Sequence, residues 1–211
     1  AEECAEGWMR KDHGFWELED EQHYTMSKIE GWLALRRACE MAEQGHLTQA
    51  RLPRWQREKA RILDWVDAHC WSERKQSYTL HAGDERLDAS LMLASRFGLA
   101  DERRERFIAT REAMRRELAD ESGTLLWRYT GMRDCEGTFL ACAFWMVEAY
   151  ALLGERDQAR EIFEALIGRV ANEVGLMPEM YDPRTGEGLG NVPQGLSHLA
   201  LIHAALSLSG E

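Results

Sequence analysis

The apolar residues of this sequence follow a helical period rather than a strand period. Along seven segments of the 211-residue chain, apolar side chains recur three and four positions apart, the spacing of one face of an α-helix. These segments cover residues 29–44, 54–69, 87–97, 102–118, 138–153, 157–170 and 194–207. No segment alternates strictly between apolar and polar residues, and short extended pieces are expected only at residues 127–129 and near Met180. The pattern predicts an all-α fold of about six or seven helices.

Charge and hydropathy limit the partners of the chain. The formal net charge is -11, whereas nucleic acids and anionic membranes are bound by clustered Lys and Arg. No apolar run approaches the roughly 20 residues that cross a bilayer. The first ten residues contain Glu2, Glu3 and Glu6, which do not suit a secretory signal. We therefore expect a cytoplasmic protein that binds neither nucleic acid nor membrane.

The cysteines and histidines give little indication of a metal or cofactor. Five cysteines occur without a C-x-x-C pair, a pattern that predicts reduced, buried thiols instead of disulfides or a zinc site. His198 and His203 are five positions apart, so they do not share a helix face as metal ligands would. Helix packing is the expected role of both. No phosphate-binding glycine loop and no G-x-S-x-G motif occurs, and we expect no cofactor.

The first candidate functional residue is Glu17, in a loop before the first predicted helix. It follows Gly14, Phe15 and Trp16. Aromatic neighbours lower the local dielectric, which favours the protonated form that a general acid needs. Indole faces also stack against sugar rings. The alternative is an ordinary solvated acidic loop, because residues 19–21 are all acidic.

The second candidate is Glu179, between Met177-Pro178 and Met180-Tyr181. A carboxylate among apolar and aromatic residues is unusual, whereas Asp182, directly before Pro183, is better explained as a turn former. Two such carboxylates, far apart in sequence, fit glycoside hydrolysis, which needs an acid on one side of the sugar and a base or nucleophile on the other.

Six sequence motifs, in order along the chain, resemble bacterial members of glycoside hydrolase family 15, the glucoamylase, glucodextranase and trehalase group. They are DHGFWE at 12–17, HYTMSKIEGW at 23–32, LDASLML at 87–93, RY at 128–129, EGTFLACAFW at 136–145 and GLMPEMYDPRTGEGLGNVPQGLSHLALI at 175–202. Each motif alone is of moderate specificity, but the ordered set is highly specific.

The resemblance implies a fold and a mechanism. The fold would be part of an (α/α)6 toroid, about half of the ring. Glu17 would be the general acid and Glu179 the general base of an inverting, exo-acting hydrolase that releases β-glucose from trehalose or from α-glucan ends. Inversion requires the two carboxyl groups to lie about 6.5–9.5 Å apart.

The resemblance also implies residues that bind the substrate. Trp16 would flank the terminal glucose. Arg128 and Glu136 would either bind sugar hydroxyls or form an ion pair that supports the loops.

The length of the chain raises a question about the rest of the toroid. Family members carry an amino-terminal β-sandwich and about twelve helices, so residues 1–211 would be the carboxy-terminal half of the catalytic domain. Half a ring would expose an apolar edge. We expect an amino-terminal half or a second chain to cover it. The alternative function is a catalytically silent helical module that binds sugar or acts as a scaffold.

Overall fold

The computed structural model describes residues 1–210, most of which are helical. The chain divides into two compact units, Ala1–Glu85 and the residues from Arg86 onward. No helix within residues 1–210 is long and apolar enough to cross a bilayer.

The first unit is built on a pair of packed helices. Its elements are α1 (Glu2–Gly7), α2 (Thr25–Glu43), a 3-10 helix (Gln49–Arg51), α3 (Leu52–His69), β1 (Trp71–Ser72) and β2 (Ser77–Tyr78). Helices α2 and α3 form the main contact, and β1 and β2 pair as an antiparallel hairpin. Pro53 lies in the first turn of α3, where its missing N–H costs no helical hydrogen bond.

The core of the first unit follows the apolar period of α2. Met26, Ile29, Trp32 and Leu35 succeed one another at three-residue spacing and are at most 1% exposed. Burying side chains of this kind stabilises a fold by about 1.5–3 kcal/mol each. The buried face of α2 therefore anchors this helix in the core of the first unit.

The second unit is organised around one buried helix. Its elements are a 3-10 helix (Ala89–Ser95), α4 (Leu99–Glu102), α5 (Arg104–Leu118), β3 (Thr138–Phe139), α6 (Leu140–Leu152), α7 (Arg156–Val170), β4 (Met180–Tyr181), β5 (Gly188–Leu189) and α8 (Gly195–Ser209). Every residue of α6 from Leu140 to Ala151 is buried, and the 3-10 helix, α7 and α8 all pack against it. A helix that is apolar on all sides needs such complete cover.

A small sheet lies beside α6. Strands β3, β4 and β5 pair antiparallel in that order, with Phe139 opposite Met180 and Met180 opposite Leu189. Strand β3 runs directly into α6. The sheet thus fixes the long loop between α7 and α8 to the start of the most buried helix.

The predicted all-α fold is confirmed, with two corrections. Residues 87–97 are not an α-helix, because the seven residues Ala89–Ser95 form a 3-10 helix. The Asp88 side chain accepts a hydrogen bond from the Ser90 amide at 2.9 Å and Ser95 Oγ donates to the Met92 carbonyl at 2.8 Å, and such local bonds compete with α-helical pairing. Residues 127–129 do not form a strand, since only Tyr129 makes a single bridge, to Asp88.

The cysteines are all free, but they differ in burial. Cys39, Cys70 and Cys142 are buried as predicted, Cys4 is half-buried, and Cys135 is exposed, contrary to the prediction. Cys135 lies in the loop before β3, outside any apolar helix face that would bury it. Burial raises the pKa of the Cys70 thiol to about 11 and that of Cys142 well above its usual range.

We expect the folded state to lose stability between pH 9 and 11. The unfolded chain releases the Cys70 proton near its usual pKa of 9.0, whereas the folded chain retains it to about 11. The stability that the neutral thiol contributes is therefore complete below pH 9 and is lost as the pH rises, by about 2 kcal/mol for this one group. Urea unfolding at pH 8 and pH 10.5 measures the loss.

Two variants make that measurement specific. Cys70→Ala should show a smaller loss of unfolding free energy between the two pH values than the wild type. Cys135→Ala, which changes an exposed thiol, should show the same loss as the wild type. An equal loss in Cys70→Ala and the wild type would contradict the assignment.

Candidate active site

The two ends of the loop that carries Glu17 are joined to each other. Asp12 and Gln22 form an antiparallel bridge, with main-chain N···O distances of 3.0 and 2.9 Å. We call residues 12–22 the acid loop. Its ends are fixed to each other, and Thr25, three residues later, begins α2.

The side chain of Asp12 ties the acid loop to α2. Its Oδ1 accepts hydrogen bonds from the Gly14 amide at 2.8 Å and from Ser27 Oγ at 2.7 Å, and its Oδ2 lies 3.4 Å from Lys28 Nζ. Lys28 also donates to the Arg10 carbonyl at 2.7 Å and is 2% exposed. Burial lowers the pKa of Lys28, and the Asp12 carboxylate opposes that effect.

Two residues of the acid loop have left-handed backbones. Gly14 has a φ of 72°, and a Cβ atom there would lie 2.6 Å from the Tyr24 ring, so only glycine fits. Glu17 has a φ of 52°, which is uncommon for a residue with a side chain. Its amide donates to the Gly14 carbonyl at 3.2 Å and its side chain is exposed. Such strained residues concentrate at functional sites.

Trp16 lies next to Glu17 and contacts Phe15 edge to face. Their ring centroids are 4.9 Å apart at an interplanar angle of 85°. Both residues are half-buried, so part of the Trp16 indole remains at the surface of the acid loop. The arrangement of this indole relative to the Glu17 carboxylate stays a prediction.

The main chain of Glu179 is fixed on both sides. Its amide donates to the Asn191 carbonyl at 3.0 Å, and its carbonyl accepts from the Leu140 amide, at the start of α6, at 3.1 Å. The first turns of α8 contact the two residues that precede Glu179. Ser197 Oγ donates to the Pro178 carbonyl at 2.9 Å, and the Met177 amide donates to His198 Nε2 at 3.3 Å.

Asn191 holds one oxygen of the Glu179 carboxylate. Its amide and its Nδ2 donate to Oε2 at 3.2 and 3.1 Å. Within residues 1–210, Oε1 of Glu179 accepts no hydrogen bond. One oxygen is thus anchored and the other is available to solvent or a ligand.

Gly190 makes room for this carboxylate. It has a φ of 76°, and a Cβ atom there would lie 2.7 Å from Glu179 Oε2. Sequence reasoning missed both Gly190 and Asn191. The available signal was the GN pair after the β5 segment, a combination typical of a tight turn.

Two of the three roles predicted for polar residues that follow Glu179 in the sequence are confirmed. Asp182 accepts a hydrogen bond from the Arg184 amide at 2.8 Å and forms the expected turn. His198 packs as predicted, because its Nδ1 contacts the Gln194 carbonyl at 2.7 Å. His203 is exposed, so the packing role predicted for it is wrong.

Arg128 and Glu136 form an ion pair. Arg128 Nε donates to Glu136 Oε1 at 2.6 Å, and Nη2 donates to Oε2. The side chains are 25% and 15% exposed, and the hydrogen bond to Glu136 raises the pKa of Arg128. The Glu136 carbonyl also accepts from Trp127 Nε1 at 3.2 Å. The ion pair that was one of the two expectations for Arg128 and Glu136 is therefore present.

The structure distributes the predicted site residues over both units. Trp16 and Glu17 belong to the first unit, and Arg128, Glu136 and Glu179 belong to the second. Of these five, the structure joins Trp16 with Glu17 in the acid loop, and Arg128 with Glu136 in the ion pair.

The fold is that of helical glycosidases. A structure described as "Glycosidase Wild Type" matches 98% of this chain with a TM-score of 0.83 at 18% sequence identity, and 57% of that chain is covered. The glycoside hydrolase family 15 glucoamylase from Hypocrea jecorina matches 98% of this chain with a TM-score of 0.76 at 10% identity, with 45% of that chain covered. The likeness confirms the predicted fold class, part of the (α/α)6 type of family 15.

Sequence comparison identifies the family. The model of the family described as "Glycosyl hydrolases family 15" matches residues 4–206. Trehalases from Mycolicibacterium smegmatis and Mycobacterium tuberculosis are 39% and 37% identical over 97% of this chain, and the trehalase from Thermoplasma acidophilum is 34% identical over 95%. The chain belongs to glycosyl hydrolase family 15. It spans about a third of the length of these relatives, 31%, 30% and 35% respectively.

Proposed function

We propose that the protein is an inverting, exo-acting α-glucoside hydrolase that releases β-glucose, with trehalose as its substrate. The names of the similar trehalases support the substrate. The observation that carries the mechanism is the Glu179 carboxylate, anchored through Oε2 by Asn191. A general base has to be held in place while one oxygen stays open to the water that it activates. Hydrolysis at the ends of α-glucans is the second candidate, supported by the likeness to a glucoamylase.

In the proposed mechanism Glu17 is the general acid and Glu179 the general base. Glu17 protonates the glycosidic oxygen as the bond to the anomeric carbon breaks. Oε1 of Glu179 takes a proton from a water molecule that attacks the same carbon from the opposite face. The released glucose therefore has the β configuration, and the two carboxyl groups have to lie about 6.5–9.5 Å apart in the working enzyme.

Three further residues are proposed to bind the sugar. Trp16 would offer its half-exposed indole to a sugar face. Arg128 and Glu136 would offer hydrogen bonds to sugar hydroxyls at the edge of their ion pair. Because the pair is already bidentate, both groups would be held in place before a sugar binds, which favours tight positioning.

We also propose that residues 1–211 act as the carboxy-terminal half of an (α/α)6 catalytic domain, covered by further polypeptide. Helix α8 carries exposed apolar side chains along one face, at Leu196, Leu199, Ile202 and Leu206, which are between 40% and 56% exposed. Contiguous apolar surfaces of this kind are usually covered by a partner. An amino-terminal half of the toroid is the favoured cover and a second chain the alternative. The cytoplasmic location stays a prediction.

The alternative function is a silent helical module that binds sugar or acts as a scaffold. It requires no particular geometry at Glu17 or Glu179. The left-handed backbone at Glu17 and the close approach of Gly190 to Glu179 favour the enzyme, because strained residues concentrate at functional sites.

We expect the purified full-length protein to hydrolyse trehalose with release of β-glucose. Proton NMR distinguishes the anomers, provided that spectra are recorded faster than the sugar mutarotates. Half of the glucose released from trehalose comes from the leaving group and stays α, so equal initial amounts of both anomers indicate inversion. Only α-glucose would indicate retention, and no hydrolysis of trehalose, maltose or isomaltose would favour the silent module.

A further inference from the structure

Lys28 is a buried cation in the first turn of α2, beside the acid loop. It is 2% exposed, although lysine is almost never fully buried unless its ammonium group is paired. Its Nζ reaches the Arg10 carbonyl at 2.7 Å and Asp12 Oδ2 at 3.4 Å. Burying a charge opposes folding unless close pairing and hydrogen bonds offset the cost of its desolvation.

The contacts of Lys28 lead, bond by bond, to Glu17. Lys28 pairs with Oδ2 of Asp12, and Oδ1 of the same carboxylate accepts from the Gly14 amide at 2.8 Å. The Gly14 carbonyl then accepts from the Glu17 amide at 3.2 Å. The charge on Lys28 thereby orients the carboxylate that holds the turn in which Glu17 lies.

The other contacts of the acid loop do not involve Lys28: the Leu18 amide donates to the His13 carbonyl at 2.8 Å, and His13 Nδ1 contacts the Leu18 carbonyl at 2.8 Å. A Cβ atom at Gly14 would lie 2.6 Å from the Tyr24 ring, and Asp12 and Gln22, at the two ends of the loop, are joined by main-chain bonds that do not depend on side chains. Asp12 is the residue that joins the ends of the loop, the turn at Gly14 and helix α2. Its ionic partner among the described residues is Lys28.

We propose that Lys28, acting through Asp12, is a positioning residue for the general acid Glu17. It does not touch the substrate. It holds the carboxylate of Asp12 so that the Gly14 turn keeps Glu17 in its left-handed conformation. The proposal rests on the proposed function, since it assigns a purpose to the position of Glu17.

The test uses two substrates that differ in their need for an acid. The leaving group of trehalose is a sugar alkoxide, a strong base that has to be protonated as it departs. The leaving group of α-glucosyl fluoride is fluoride, a weak base that departs with little help from an acid. Both reactions need the same base and the same water. The ratio of the two kcat/KM values therefore reports on the departure of the leaving group, and it is independent of the fraction of protein that is folded.

We expect Lys28→Met to lower kcat/KM for trehalose by about 10- to 100-fold, mainly through kcat, because small misplacements of a reacting group cost that much. We expect less than about a threefold loss for α-glucosyl fluoride. Ser27→Ala, which removes a hydrogen bond from an uncharged donor to Asp12, should change the ratio in the same direction by a smaller factor. Lys59→Met, on α3 of the same unit, is the matched control and should leave the ratio unchanged.

Two results would overturn the proposal. One is an equal loss on both substrates in Lys28→Met, which would mean a purely structural role. The other is no loss at all. If the wild type hydrolyses neither substrate, the proposed function fails instead, and hydrogen exchange of the Gly14 amide then decides the positioning separately. Faster exchange of that amide in Lys28→Met supports the connection, and unchanged exchange rejects it.

Discussion

Glu17→Gln is expected to lower kcat for trehalose by about 1,000-fold while lowering it far less for α-glucosyl fluoride. Glutamine has nearly the same size and can still occupy the left-handed position, but it cannot donate the proton that the leaving sugar needs. General acid catalysis contributes about 100- to 10,000-fold to such reactions. Steady-state kinetics on both substrates, with a melting temperature for each variant, measures the effect.

The control for this prediction lies two residues away. Glu19 is an exposed acidic residue of the same loop, and Glu19→Gln should retain wild-type activity on both substrates. It separates the loss of a specific proton donor from the loss of one negative charge. A similar fall on trehalose and on the fluoride in Glu17→Gln would show that Glu17 is not the acid.

The helices of this protein could be predicted because their periods reflect burial. The three-residue spacing on α2 corresponds to side chains that are almost completely inaccessible, and the uninterrupted apolar run of residues 140–147 corresponds to a helix covered on all sides. Periodicity was insufficient at Ala89–Ser95, where every residue is buried and a 3-10 helix replaces the α-helix. Over seven residues, the three-residue turn of a 3-10 helix and the 3.6-residue turn of an α-helix give nearly the same apolar pattern, so the sequence does not distinguish them.

The candidate site was only partly visible in the sequence. Glu17 and Glu179 could be selected because carboxylates among aromatic and apolar residues are unusual, and the family resemblance added their proposed roles. The residues that hold them could not be found in this way. Asn191 reaches Glu179 across 12 positions and Lys28 reaches Asp12 across 16. Such contacts depend on how loops meet helices, which local patterns do not report.

The two carboxylates are also supported differently, and this difference was not predictable. Glu17 depends on its own backbone, through a left-handed φ and a turn tied to Asp12. Glu179 depends on a neighbouring strand end, where Asn191 binds its carboxylate directly. We infer that substitutions near the acid loop change the position of Glu17. Substitutions near β5 change the hydrogen bonds to the Glu179 carboxylate.

The second prediction with a large effect concerns Glu179. Glu179→Ala should lower kcat by about 1,000-fold or more on both trehalose and α-glucosyl fluoride, because the attacking water needs the base whichever group departs.

Azide is expected to restore turnover of α-glucosyl fluoride by Glu179→Ala. It needs no deprotonation and can enter the space that the carboxylate leaves, so the product should be β-glucosyl azide, identified by its anomeric proton coupling in NMR. Glu187→Ala, an exposed carboxylate of the same loop, should remain fully active and give no azide product. Recovery of the α-azide would contradict inversion. If azide fails to restore turnover in a folded Glu179→Ala protein, the base lies elsewhere. Removal of the Glu179 carboxylate would then not have opened a space from which a small anion can attack the anomeric carbon.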